Sequence, residues 1–220
     1  MRLERASYKA TKYACINFHY AKKVPVAQSC FSVFNSANEW CGVIIYGIGA
    51  NNGLAKSFGL KNGQVAELLR VALNGKQELT SKAVAISMKL VAKSNPLVKL
   101  LVSFADKEQG HKGTIYQATN WIFAGDSDPA EEYLYQGKRW HGRAFRSSFG
   151  SHLKYKDKGL KIIMGSSKHR YIYPLDKALI EMCNKLSKPY PKKCDVSITA
   201  NAAGFQLAED GQHDHIALSI

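Results

Sequence analysis

The sequence lacks an apolar run of the roughly 20 residues that a membrane-spanning helix needs. Its longest apolar stretch, residues 41–50, is about half that length and contains glycine. Residues 1–5 are charged, and the absence of an apolar stretch after them does not fit a signal peptide. We therefore expect a cytoplasmic protein without a membrane partner.

Cysteine is also scarce, and no two cysteines form a C-x-x-C pair. An odd number of scattered cysteines argues against a disulfide framework and against a zinc ribbon, so reduced thiols are expected. The five are Cys15, Cys30, Cys41, Cys183 and Cys194.

Acidic residues are few in one part of the chain. The whole chain carries 31 Lys+Arg against 17 Asp+Glu, but residues 138–193 hold 15 of the basic residues and only three acidic ones. Aromatic rings such as Trp140, Phe145 and Tyr155 alternate with these charges, a combination typical of polyanion binders. A soluble basic surface is the alternative interpretation. The residues predicted to contact phosphates of double-stranded DNA are Lys138, Arg139, Arg143, Arg146, Lys154 and Lys156.

Apolar periodicity and turn residues predict an α/β (α+β) fold with a sheet of mixed direction. Residues 29–34 and 40–48 form a predicted antiparallel hairpin. The helix predicted over residues 79–93 has Thr80 or Ser81 as its N-cap. The other predicted helices are 7–20, 113–120 and 175–186, and the other predicted strands are 64–73, 97–105, 121–124, 160–164 and 169–173.

We expect one domain over residues 1–191, whose C-terminal half, about residues 138–193, is basic. Residues 49–59 are rich in glycine and asparagine and are expected to form a loop. Residues 195–220 have little pattern and are expected to be a flexible tail, although they contain His213, Asp214 and His215.

The stretch ADKEQGHKGTIYQATNW, residues 105–121, places an acid, a histidine and two glycines between a predicted strand and a predicted helix. In open sheets, ligands bind beyond the carboxyl ends of strands, near helix N-termini. Asp106 ends the strand, and Gly110 and Gly113 allow close backbone approach by an anion. A helix-capping cluster without a function is the alternative.

Four segments carry a resemblance to a known family. SFADKEQGHKGTIYQATNWIFAG resembles a segment of the Mom family, phage proteins that modify adenine in DNA. NFHYAKKVP resembles the family's His-Tyr motif, AELLRVALN its central strand, and SSKHRYIYPLD its terminal strand. The resemblance covers residues 19–176 and is most specific at residues 106–121.

The resemblance implies a GNAT-like fold, with a mixed, mostly antiparallel central sheet flanked by helices. It also implies an enzyme, a DNA-modifying transferase that adds a carbamoylmethyl group to adenine N6 and thereby masks phage DNA from restriction in the host cytoplasm. Adenine N6 faces into the duplex, so the base must be flipped out or the strand opened.

The donor of that group does not follow from the sequence. GNAT enzymes that use acetyl-CoA usually carry a Q/R-x-x-G-x-G/A loop, and this chain has Gln77 but then Thr80 and Lys82 where small residues belong. Simple acyl transfer would also give an amide, not an N6–CH2 bond. Acetyl-CoA is therefore not favoured, and a different small-molecule or carrier-bound donor is expected.

Catalytic roles are predicted for His19, Tyr20, Arg70, Asp106 and Tyr116. Asp106 is expected to accept an N6 proton or hold the amine, and Arg70 to bind a carboxylate or phosphate. Glu67 is three residues from Arg70, so strand alternation puts them on opposite faces unless a bulge intervenes. The rings that can stack on adenine are Tyr20, Tyr116 and Trp121.

Further residues are predicted to contact substrate or an anion. Ser103 and Phe104 face opposite ways in a strand, so only one of them can line the site. Asn120 is about one helical turn beyond Tyr116 and is expected to share its face. The full set is Ser103, Gly110, His111, Gly113, Gln117 and Asn120.

A metal site is a further expectation. Two histidines and one carboxylate suit non-haem iron(II), and the resemblance allows iron(II) as a cofactor. The predicted ligands are His19, Asp106 and His111, and the alternative is that they cap or pack their own helices.

Three functions from different classes remain open at this point. The first is a Mom-type transferase acting on adenine in DNA, the second a GNAT acetyltransferase acting on an amine, and the third a non-catalytic nucleic-acid-binding protein on a GNAT-like scaffold. Acetyl-CoA binding separates the second from the others, and modified nucleosides separate the first from the third.

Overall fold

The computed structural model describes residues 1–48 and 53–191. Its strands are β1 (Arg2–Arg5), β2 (Ser29–Phe34), β3 (Trp40–Gly47), β4 (Val65–Leu73), β5 (Leu100–Asp106), β6 (Ile122–Asp126), β7 (Glu131–Tyr135), β8 (Lys138–His141), β9 (Lys161–Met164) and β10 (Lys168–Pro174). Its helices are α1 (Tyr8–Phe18), α2 (Thr80–Ser94), α3 (Thr114–Gln117), α4 (Gly142–Phe149) and α5 (Ile180–Lys185), with 3₁₀ helices at Lys56–Phe58, Lys107–Gln109, His152–Lys158 and Lys177–Leu179.

Seven strands form the main sheet, in the order β1-β2-β3-β4-β5-β10-β6. Every neighbouring pair is antiparallel except β4 and β5, which run parallel and are joined through helix α2. The predicted mixed, mostly antiparallel sheet flanked by helices is therefore confirmed. The predicted hairpin is confirmed as well, because β2 and β3 pair antiparallel.

Helix α2 packs on one face of this sheet, and helix α1 packs on the opposite face. α2 buries the face that carries Ala83, Val84 and Met88 in the largest apolar cluster. Leu79, not Thr80 or Ser81, is the N-cap of α2, so the predicted cap is wrong. The Thr80 hydroxyl instead accepts a bond from Gln77 Nε2, at 2.9 Å.

A second sheet of three strands, ordered β8-β7-β9, lies between β6 and β10 in the sequence. Strand β1, this sheet's β7 and β8, and helix α4 were not predicted. The β7–β8 turn uses Gln136 and Gly137, both with positive φ, and it lacks the Asn-Gly or Asp-Gly pair that marks such turns in a sequence.

The aromatic rings of the basic segment pack into this second sheet. Tyr133, Phe145 and Leu160 are buried together, with Trp140 and Tyr155 packed against them. These rings therefore form a core, and their alternation with basic residues in the sequence does not by itself indicate a surface for stacking on nucleic acid. Charged side chains of the segment remain exposed, among them Arg143, Arg146, Lys154 and Lys156.

No helix within the described residues is long and apolar enough to cross a membrane. The four cysteines in the described part are free thiols, and burial raises their pKa. The expected tail at residues 195–220, with Cys194 just before it, and part of the expected glycine-rich loop, residues 49–52, lie outside the described residues. The expectation of a single domain over residues 1–191 stays a prediction.

Candidate active site

The stretch at residues 105–121 ends β5 and begins a loop held by local bonds. Asp106 Oδ1 accepts the backbone N–H of Glu108 at 3.1 Å, so the acid caps the short 3₁₀ helix that follows it. Gly113 has φ +74°, and a Cβ there would stand 2.3 Å from the Tyr171 ring. The Tyr171 hydroxyl donates to the Lys112 carbonyl, which fixes the loop against β10. Glycine at position 113 is thus required by both backbone and space.

A cleft of about 1420 Å³ opens beside this loop. Strands β4 and β5, the end of α1, the loop before α3 and the rim of the second sheet all contribute to its wall. The predicted site residues that line it are His19, Tyr20, Arg70, Gly110, His111, Gly113, Tyr116 and Gln117. Residues from three distant parts of the sequence therefore meet in one place.

Asp106 does not line the cleft itself but lies behind two side chains that do, Tyr20 and Lys168. The Tyr20 hydroxyl donates to Asp106 Oδ2 at 3.4 Å, and Lys168 Nζ stands 3.3 Å from the same oxygen. The Asp106 side chain is only 15% exposed. Burial, and then the negative charge of Asp106, raises the pKa of Tyr20, so its phenol stays protonated and able to donate.

His19 and Tyr20 form a stacked pair, with ring centroids 4.3 Å apart. Tyr20 also meets His111 edge to face at 5.6 Å. Burial, followed by the positive charges of Arg70 and His111, lowers the pKa of His19 to about 4. His19 is therefore neutral near pH 7. Its Nδ1 accepts the Ala21 N–H at 3.1 Å, so its proton is on Nε2.

Tyr116 forms the floor of the cleft and is 8% exposed. Its hydroxyl is 2.8 Å from Ser103 Oγ, and Ser103 in turn donates to the Leu68 carbonyl at 2.8 Å. Burial raises the pKa of Tyr116 to about 12. Ser103 was predicted to contact substrate, but it is fully buried, and Phe104 lines the cleft in its place. It can act only through Tyr116.

A β-bulge in β4 brings Glu67 and Arg70 to the same cleft. The β3–β4 pairing shifts register between Ile45↔Arg70 and Tyr46↔Leu68, which leaves an extra residue in β4. Glu67 and Arg70 both line the cleft as a result. Arg70 Nη1 donates to the Leu69 carbonyl at 2.7 Å. Its buried Nε has no hydrogen-bond partner among the described residues.

Two predicted residues lie elsewhere. Asn120 is exposed and outside the cleft wall, because α3 ends at Gln117 and Asn120 adopts a left-handed conformation with φ +59°. It therefore does not share the face of Tyr116. Trp121 is completely buried and cannot stack on a base.

The predicted iron(II) ligands do not form a ligand set in this arrangement. Among the described residues, no three His, Cys, Asp or Glu side chains are grouped closely enough to hold a metal ion. Lys168 is paired with Asp106, and its positive charge opposes a second cation at that carboxylate. The residues present do not fit a metal, and iron(II) at His19, Asp106 and His111 stays a prediction.

The predicted DNA-contacting residues fall on the second sheet, α4 and the 3₁₀ helix after it. Arg143 and Arg146 are exposed on α4, and Lys154 and Lys156 on the 3₁₀ helix. Lys138 lies over the Trp140 ring at 4.3 Å. Arg139 is ion-paired with both Glu108 and Glu132. This double pairing makes Arg139 a poor candidate for a phosphate contact.

Lys168 and His141 also line the cleft and were not predicted. Lys168 is directly opposite Asp106 across the β5–β10 pair. The sequence carries one signal for it, since Lys168 lies within the SSKHRYIYPLD segment. His141 caps α4 by accepting the Arg143 N–H at 3.3 Å. Its place in the cleft could not be predicted, because it ends β8, a strand that was not predicted.

Comparison with solved structures finds acetyltransferases. The chain is similar to a Bacillus subtilis acetyltransferase in complex with CoA, at 10% identity and a TM-score of 0.44, over 79% of this chain and 97% of that one. It is also similar to a spermidine N-acetyltransferase SpeG chimera from Vibrio cholerae and hSSAT, at 11% identity and a TM-score of 0.43, over 84% and 99% of the two chains.

The sequence comparison is more specific. The chain belongs to the Mom protein family, whose model matches residues 1–192, so the resemblance seen in the sequence is confirmed. A relative, Methylcarbamoylase mom of Escherichia phage Mu, is 28% identical over 205 residues, which span 87% of this chain and 84% of that protein. The protein is thus a homologue of that phage enzyme.

Proposed function

We propose that this protein is a DNA-modifying transferase that places a carbamoylmethyl group on N6 of adenine in double-stranded DNA and so protects that DNA from restriction. Membership of the Mom family and the relative named methylcarbamoylase support the reaction class. The observation that carries the proposal at the site is the contact of Asp106 with Tyr20 and Lys168, two side chains that line the cleft.

The cleft suits an adenine that has left the base stack. An enzyme that acts on N6 must take the base out of the duplex and hold it by stacking and by hydrogen bonds. Tyr20 is about half exposed and lies against His19, which offers a flat aromatic surface. Stacking of one base on such a surface contributes about 1–3 kcal/mol.

The chemistry needs a proton acceptor near the amine. In the reaction, N6 forms a bond to the methylene carbon of the donor, and the bond from that carbon to the leaving group breaks. The leaving group departs with the bonding electron pair, and N6 loses one proton. Asp106 is the acceptor we assign to that proton, with the protonated Tyr20 holding the carboxylate in position.

The donor is expected to be something other than acetyl-CoA. Thr80 and Lys82 stand in the first turn of α2, where a pyrophosphate cradle needs small residues, and Gln77 is bonded to Thr80. Isothermal titration of the protein with acetyl-CoA should therefore show no specific binding. Micromolar binding would contradict this and favour an acetyltransferase.

The basic surface is expected to bind DNA through phosphates. Replacing Arg143 and Arg146 by Ala should reduce the slope of log K against log salt by about one unit per lost contact. Arg139→Ala is the matched control and should leave the slope nearly unchanged, since Glu108 and Glu132 already hold Arg139. Fluorescence anisotropy over a salt series measures the slopes, and a parent slope near zero would remove DNA from the account.

A restriction assay tests the proposed function in cells. Plasmid DNA from cells that express the protein should resist endonucleases whose recognition sequences contain adenine. Endonucleases that recognise only G·C pairs should still cut the same DNA, which controls for contaminants that inhibit cleavage. Equal cleavage by both kinds of endonuclease would contradict the proposal.

A further inference from the structure

Lys168 is the one cationic side chain in the described residues that both lines the cleft and pairs with Asp106. Its side chain is 46% exposed, while that of Asp106 is 15% exposed. Lys168 therefore stands between the carboxylate and the solvent of the cleft. Tyr20 covers the same oxygen, Oδ2, from its own side.

This arrangement leaves Asp106 Oδ2 occupied before any substrate arrives. Oδ1 is also occupied, because it accepts the Glu108 N–H. An incoming amine can bond the carboxylate well only if one of the two covering groups moves away. Lys168 has a long flexible side chain in partial contact with water, so its ion pair is weak and exchanges readily.

Two other cations near the loop, Lys107 and Arg139, are less free to exchange partners. Lys107 is paired with Asp126 and also donates to Ser167 Oγ at 2.9 Å. Arg139 is held by two glutamates. Lys168, in contrast, has a single carboxylate partner and lines the cleft.

We propose that Lys168 is the phosphate-binding residue for an extrahelical adenine nucleotide, and that its transfer from Asp106 to that phosphate uncovers Asp106 for adenine N6. A DNA phosphate is an anion with two charged non-bridging oxygens, and lysine is a common ligand for it. Asp106 thus becomes available when a nucleotide is in the cleft. This inference rests on the proposed function for the identity of the base.

Binding to two duplexes of equal length tests the proposal without any donor. One duplex is fully paired, and the other has a single unpaired adenine, which costs less to move out of the stack. The parent protein should bind the second duplex more tightly, and Lys168→Met should reduce that preference by about tenfold. Lys154 is an exposed lysine of the basic surface. Lys154→Met should lower the affinity for both duplexes equally and keep the preference for unpaired adenine.

A double variant separates phosphate binding from simple neutralisation of Asp106. If Lys168 only neutralises the carboxylate, Asp106→Asn added to Lys168→Met should restore the preference for unpaired adenine. If Lys168 binds the phosphate, the preference stays lost, which is the result we expect.

Restoration in the double variant, an unchanged preference in Lys168→Met, or no preference in the parent would each overturn the inference. The assay involves no modification step, so its failure is distinguishable from a failure of the proposed activity. If the parent protein modifies adenine but the Lys168→Met variant keeps the preference for unpaired adenine, only the role of Lys168 is refuted and the proposed activity stands.

Discussion

Asp106→Asn should lower adenine modification by about 10²–10⁴-fold, the range in which a positioned general base contributes. The amide has nearly the same shape, and its oxygen can still accept the Glu108 N–H that Asp106 now accepts. It cannot, however, take a proton at neutral pH. Nucleoside mass spectrometry of plasmid DNA from cells that express each variant measures the effect.

Folding and DNA binding are the controls for this variant. The unfolding midpoint and the affinity for paired duplex should stay near those of the parent, because polar groups at a cleft edge contribute little to the core. Asp106→Asn with parental modification levels would show that Asp106 is only a helix cap. Loss of modification together with unfolding would make the variant uninformative, and Tyr20→Phe, which removes one hydrogen bond to Asp106, then provides the second test.

Gly113→Ala should destabilise the protein by roughly 2–4 kcal/mol and also reduce modification strongly. Two causes add: the left-handed backbone at φ +74°, and the added Cβ that would meet the Tyr171 ring at 2.3 Å. Relief of that clash moves the loop that leads into α3 and Tyr116. Chemical denaturation measures the first effect and nucleoside mass spectrometry the second.

Gly110→Ala is the matched control for this prediction. Gly110 also has a positive φ, +67°, but nothing stands within 4 Å of the added Cβ. Gly110→Ala should lower the free energy of unfolding only through the left-handed backbone conformation, by roughly 1–2 kcal/mol. Equal losses of unfolding free energy in Gly110→Ala and Gly113→Ala would contradict the role assigned to the Gly113–Tyr171 contact.

The main sheet apart from β1 could be predicted because its strands and helices have strong local patterns. β2, β3 and α2 follow apolar runs with clear turns between them, and their bounds agree with the prediction within a residue or two. Two of the three strands of the second sheet, β7 and β8, could not be predicted, because they are short, charged and aromatic. There the same rings that resemble a nucleic-acid surface are a core.

Which residues line the cleft follows from the sequence within one loop, but not where pairing across strands decides. Gly110, Gly113 and Tyr116 line the cleft together because they follow one strand. Lys168 is beside Asp106 only through the β5–β10 register. The joint placement of Glu67 and Arg70 depends on a bulge in β4. Neither register nor bulge has a signal in a single sequence.

The most direct test of the central claim is mass spectrometry of deoxynucleosides from plasmid DNA, prepared from cells with and without this protein. The account predicts a new deoxyadenosine whose mass and base fragment correspond to one carbamoylmethyl group on the adenine, present only with the protein. Unmodified deoxyadenosine in both samples, or a deoxyadenosine that carries an acetyl group instead, would contradict it.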